Sequence, residues 1–182
     1  MKFVKLLILF VLTACGQMEQ NGEFNKVTTP GDPRPDSFID PAIKPYYDQF
    51  FVIAKDFGVN VVSNTQIIRF VDRIGGSTPG YDVVGDCQSY YWVESVMSTA
   101  VEWYSQNRIN VLRSAWEAAG PCLREGLIIH EAGHCDLGLG HSKNPESLMY
   151  PDLHIQEDST CLDMRLKARV MFEEFLGIDP SK

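Results

Sequence analysis

The segment His130 to Pro151, HEAGHCDLGLGHSKNPESLMYP, constrains this chain more than any other. His130 and His134 stand four residues apart with Glu131 between them, and His141 follows seven residues after His134. On a helix, residues four apart are rotated by about 40° and separated by about 6 Å along the axis, so two imidazoles can converge on one metal ion. Glu131 projects roughly 100° around from His130, which lets it reach a water held by that ion without being a ligand itself. His141 cannot join them on an unbroken helix. It would lie about 10 Å beyond His134, whereas nitrogens that share a zinc ion sit about 2.0–2.1 Å from it. The helix must therefore stop and the chain must turn back. Gly138 and Gly140 lie where that reversal is needed, and glycine accepts the positive φ of a helix C-terminal cap at little steric cost.

With these residues in view, the segment resembles the metzincin metalloproteases, whose pattern is HExxHxxGxxH followed by a Met-turn. Its downstream half is most similar to the matrixin branch: HSKNPESLMYP reproduces the spacing from third histidine to methionine, with Ser147-Leu148-Met149-Tyr150-Pro151 as the Met-turn. The resemblance implies an α+β zincin fold with a small twisted sheet, a first helix, the zinc helix, the Met-turn and a C-terminal helix. It implies His130, His134 and His141 as ligands of one catalytic Zn2+, Glu131 as general base, Gly138 as turn glycine and Met149 as the residue beneath the metal. Gly138 and His141 each come one position later than in the metzincin pattern. HEAGHCDLGLGH is also similar to a group of bacterial exported proteins with HExxHC and the longer interval, in which the extra residue is normal. The activity implied is hydrolysis of a protein or peptide substrate by a zinc-activated water. In the family an edge strand before the zinc helix binds substrate, and the segment after the Met-turn shapes the specificity pocket. Asn107 to Arg113 and Pro151 to His154 are the candidates for those roles, with Tyr150 lining the pocket beside Pro151 and His154.

Other readings compete. A purely structural zinc fills its four positions with protein ligands, mostly Cys and His. Cys135 points roughly 100° away from His134 and makes a poor fourth ligand. A gluzincin-type site would replace His141 by a downstream carboxylate from Glu157, Glu173 or Glu174, against which the Met-turn counts. A lipid-anchored binding protein that keeps zinc only for stability has no need of Glu131.

The N-terminus is read separately from the fold. MKFVKLLILFVLTAC carries Lys2 and Lys5, an apolar run from Leu6 to Leu12 too short to span a bilayer, then small residues. Leu12-Thr13-Ala14-Cys15 resembles the lipobox of bacterial lipoproteins, which implies a signal peptide over 1–14, lipidation of Cys15 and anchoring to a membrane without crossing it. Gly16 after that cysteine favours the outer membrane of the cell envelope. Residues 15–38 are polar and broken by Pro30, Pro33 and Pro35, the composition of a tether. Pro33-Arg34-Pro35-Asp36 resembles the matrixin inhibitory segment but lacks its thiol, so no cysteine switch is expected. Without Lys2 and Lys5 the chain has 14 basic side chains against 24 acidic ones and no basic cluster, which excludes nucleic acid as a partner.

Residues 39–182 are expected to form one monomeric catalytic domain. Asp40-Pro41 predicts the start of a helix on which Tyr47, Phe50, Ala54 and Phe57 recur until Gly58. Val59 to Ile74 predicts one or two strands, Tyr81 to Trp92 and Asn107 to Arg113 further strands, and the segment between them either strand or helix. The motif helix should run from Leu123 to about Leu137. A last helix starts near the Thr160/Asp163 capping box and buries Met164, Ala168, Met171 and Phe175. Trp92, Trp103 and Trp116 are expected in packing. In an oxidising compartment Cys87, Cys122, Cys135 and Cys161 should form two disulfides. Three pairings exist, and Cys87–Cys122 with Cys135–Cys161 is the expected one.

Overall fold

The computed structural model describes residues 37–74, 84–96, 100–151 and 160–178, with the backbone alone over 90–96 and 100–106. The signal peptide, Cys15, the Pro33–Asp36 stretch, His154 and Glu157 lie outside the described residues. So do the side chains of Trp92 and Trp103.

The elements run β1 (Phe38–Ile39), α1 (Lys44–Asp56), β2 (Thr65–Val71), β3 (Gly85–Val96), β4 (Ala100–Leu112), α2 (Arg113–Ala118), α3 (Pro121–Leu137) and α4 (Cys161–Phe175). This is a mixed α+β architecture with a four-stranded sheet in the order β1-β2-β4-β3. β1 and β4 both pair parallel to β2, and β3 pairs antiparallel to β4. Phe38, the last residue of the expected tether, already pairs with Ile67. No helix among the described residues is long and apolar enough to cross a membrane.

Helix α1 begins at Lys44 rather than at Pro41, because Asp40 caps a preceding turn by accepting from the Ala42 N–H at 2.9 Å. Gly58, at φ 74°, takes the left-handed conformation just past its end. The ambiguous segment after Trp92 is strand on both sides, since β3 and β4 pair continuously from Gly85↔Val111 to Val96↔Ala100.

α3 packs against α1, α4 and the strands β2, β3 and β4, so one contiguous core joins all layers. Ile68, Ile109, Ile128, Ile129, Leu148 and Met171 are fully buried in it. At roughly 1.5–3 kcal/mol per buried aliphatic side chain, this core is the main force holding α3 against the sheet. Trp116 is buried edge-on to Tyr46 and Phe70, as packing requires. On α4, Met164, Ala168 and Met171 are buried as expected, but Phe175 is 39% exposed. Phe172 takes the core position instead, stacked on Phe50 and Phe57.

The disulfides are Cys87–Cys135 and Cys122–Cys161, not the expected pairs. Cys122 and Cys135 lie thirteen residues apart on one helix, about 220° around its axis, so they face different neighbours. Cys122 in the first turn of α3 meets Cys161 in the first turn of α4, with Cα atoms 4.6 Å apart. Cys135 faces the sheet and meets Cys87 on β3.

Candidate metal centre

Helix α3 begins at Pro121, where the absent N–H is one that would be unpaired anyway, and ends at Gly138. Gly138 sits at φ 67°, and the Leu139 N–H reaches back to the Gly133 carbonyl at 3.0 Å, closing a Schellman turn. Gly140 is not among the described glycines with positive φ, so the reversal rests on Gly138.

This turn gathers three histidines. The ligand nitrogens of His130, His134 and His141 all lie within 4.8 Å of one another. The extra residue lies between His134 and Gly138, and the turn at Gly138 still brings His141 back to the other two; within that turn the Leu139 carbonyl accepts from His134 Nδ1 at 2.7 Å. The Leu148 carbonyl accepts from His130 Nδ1 at 2.6 Å. A carbonyl only accepts, so both Nδ1 atoms carry the hydrogen and both Nε2 atoms present lone pairs. Those Nε2 atoms stand 3.1 Å apart, close to the roughly 3.3 Å between two nitrogens on a tetrahedral zinc. Two lone pairs facing each other without a proton between them repel, and a cation removes that repulsion. Burial holds the pKa of all three histidines below the usual imidazole value, that of His130 at about 3, with neighbouring histidines adding to the effect at His130 and His134. They are neutral at pH 7, as metal ligands must be. Exposure rises from buried His130 through His134 to exposed His141, so the cluster opens to solvent on the His141 side.

Glu131 is 4% exposed, and its Oε2 is the one buried side-chain oxygen or nitrogen among the described residues without a hydrogen-bond partner. Such an atom calls for a water or another donor beside it. Burial first, and the negative charge of Asp86 second, push its pKa up to about 8. Space for the carboxylate comes from Gly85, where an added Cβ would stand 2.8 Å from Glu131 Oε1.

Met149 is fully buried, and an added Cβ on Gly133 would stand 2.7 Å from its sulfur. The glycine of HEAGH therefore lets the Met-turn lie against α3 between the two helical histidines. Tyr150 is half-buried, with its N–H on the Ser147 carbonyl at 3.1 Å, and Pro151 is exposed. Asn107–Leu112 is an interior run, paired with β2 on one side and β3 on the other, so it cannot add a peptide strand. The edge beside α3 belongs to β3, which the sequence reading had not set apart for that role.

Three supporting groups escaped the sequence reading. Asp136 accepts from Tyr47 Oη, the N–H groups of Asn64 and Thr65, and Thr65 Oγ1 at 2.7–3.0 Å, tying the end of α3 to α1 and the start of β2. Gly85 and Asp86 stand beside Glu131. Glu174, considered above as a carboxylate ligand, instead accepts from Ser142 and Ser147 with its two oxygens, and Glu173 pairs with Arg169.

No curated protein and no solved structure matched the chain. A protein-family model described as Matrixin matches residues 97–167, a stretch that takes in all of α3, the three histidines, Glu131 and Met149. Over that stretch the chain is similar to zinc metallopeptidases of the matrixin type, and its gathered histidines form a group able to hold a metal ion.

Proposed function

We propose that the protein is a zinc-dependent metalloendopeptidase, with His130, His134 and His141 as the ligands of one zinc ion and Glu131 as the general base. The observation that carries this reading is the pair of Nε2 lone pairs 3.1 Å apart beside a buried, unpartnered Glu131 Oε2, on a stretch that matches the Matrixin model. When bound, zinc supplies Lewis acidity that makes water a nucleophile at neutral pH and polarises a carbonyl oxygen. Glu131 Oε2 takes the proton of the attacking water and delivers it to the leaving amine. The Leu139 and Leu148 carbonyls keep the helical imidazoles in the tautomer that binds metal. The edge of β3, which packs against α3, offers backbone groups on which an extended peptide adds as a strand. Tyr150 and Pro151, at the end of the Met-turn, are assigned by the family resemblance to the pocket for the substrate side chain.

The same reading places the protein in a bacterial envelope, lipid-anchored through Cys15 and facing its substrate as a monomer; it is supported by the lipobox-like Leu12–Cys15. A lipid-modified N-terminal peptide by mass spectrometry, lost in Cys15→Ala, is the expected result, and an unmodified cysteine contradicts it.

The test of the activity is cleavage of a mixed peptide library by zinc-loaded residues 16–182 and by the Glu131→Gln variant. Loss of about 10²–10⁴-fold in rate with zinc retained is expected. Equal cleavage by both sinks the role of Glu131, and no cleavage by the wild type despite bound zinc favours a zinc-stabilised binding protein.

A further inference from the structure

Two of the three clustered histidines are fixed through their own rings, by the Leu148 and Leu139 carbonyls. Among the described residues the His141 ring has no such hydrogen bond, so its position depends on its backbone. That backbone continues into Ser142, whose Oγ donates to Glu174 Oε1 at 2.7 Å. Five residues later Ser147 Oγ donates to Glu174 Oε2, also at 2.7 Å, and Ser147 directly precedes Leu148, whose carbonyl holds His130. The serines serve as acceptors too: Ser142 Oγ receives the Asn144 N–H at 3.0 Å and Ser147 Oγ the Met149 N–H at 3.2 Å. The Ser142 N–H closes the loop on the Met149 carbonyl at 2.8 Å. A single half-buried carboxylate near the end of α4 thus grips both ends of the 142–147 segment through charge-assisted bonds.

We infer that Glu174 is the positioning residue of this centre: through Ser142 it sets His141, and through Ser147 it sets the carbonyl that orients His130. The inference rests on the zinc reading above. It makes α4, which contributes no ligand, part of the metal site. The disulfide Cys122–Cys161 and the Leu148 N–H bond to the Lys167 carbonyl at 3.0 Å brace the same helix.

The test measures zinc affinity by chelator competition, and the visible spectrum of the cobalt-substituted protein, for the wild type, Glu174→Ala, Glu174→Gln, Ser142→Ala and the neighbouring Glu173→Ala. Loss of such a supporting hydrogen bond weakens metal affinity by about 10–100-fold, and that is expected of Glu174→Ala together with a changed cobalt spectrum. Glu174→Gln, which can accept from one serine and donate to the other, should restore most of the affinity. Glu173→Ala should match the wild type. Ser142→Ala keeps the Ser147 bond and should lose affinity to a smaller degree, which decides the matter if Glu174→Ala does not fold. Unchanged affinity and spectrum in Glu174→Ala, or in Ser142→Ala where that variant decides, overturn the inference while leaving the zinc reading intact. A wild type that holds no zinc overturns both.

Discussion

A methyl group on Gly133 would stand 2.7 Å from the sulfur of Met149 and 3.3 Å from that of Met171, so Gly133→Ala must displace the Met149 side chain from its fully buried place under α3, and the Met-turn with it where the side chain has no room to turn. Overpacking of this kind costs about 1–3 kcal/mol. Chemical denaturation should show that loss, and zinc should bind more weakly because the Leu148 carbonyl moves with the turn. A variant as stable and as tight as the wild type would mean that Met149 yields freely. Glu131 yields a second prediction. Its folded pKa, about 8, lies above the 4.5 of an ordinary glutamate. The stability it contributes is therefore complete below 4.5 and is lost as pH rises through about 8. In chelator, the unfolding free energy should fall between pH 6.5 and 8, with a slope of up to about 1.4 kcal/mol per pH unit, and Glu131→Gln should flatten it. An unchanged slope in the variant would assign the effect elsewhere. At this scale helical spacing pointed to His130, Glu131 and His134, and the resemblance to the metzincin pattern to Gly138, His141 and Met149; the structure gathers the three histidines and puts a left-handed residue at Gly138. Gly85 was silent and Glu174 was considered only as a metal ligand, since their contacts cross 46 and 27 or more residues of chain.

The helices were legible from their signals: the Thr160/Asp163 capping box and the glycine after Leu137 mark real boundaries. The cysteine pairing was not. That Cys122 and Cys135 must face different partners follows from their rotation on α3, but which strand or helix lies on each side is tertiary information. The observed Cys87–Cys135 bond fastens the edge strand β3 to the histidine-bearing helix α3 across 48 residues. Replacing both cysteines by serine should cost about 2–5 kcal/mol of stability and raise hydrogen exchange along β3 more than along β2. Uniform exchange across the sheet would contradict a local tether.

At the scale of the whole molecule, the α+β class was readable from the order of periodic segments, and the sheet order was not. Residues Asn107–Leu112 are as β-rich as an edge strand, yet β4 inserts between β2 and β3 because its parallel pairing to β2 and its hairpin with β3 are both satisfied only there. Such long-range pairing leaves no local trace in composition. What this arrangement delivers is one point where α3, the turn at Gly138 and the Met-turn meet. The most direct test is zinc-edge X-ray absorption with zinc affinity, on the wild type and on His141→Ala. One zinc per chain with three imidazole nitrogens at about 2.0–2.1 Å, and a large loss of affinity without His141, is the predicted result. Undiminished affinity in His141→Ala would contradict the three-histidine centre.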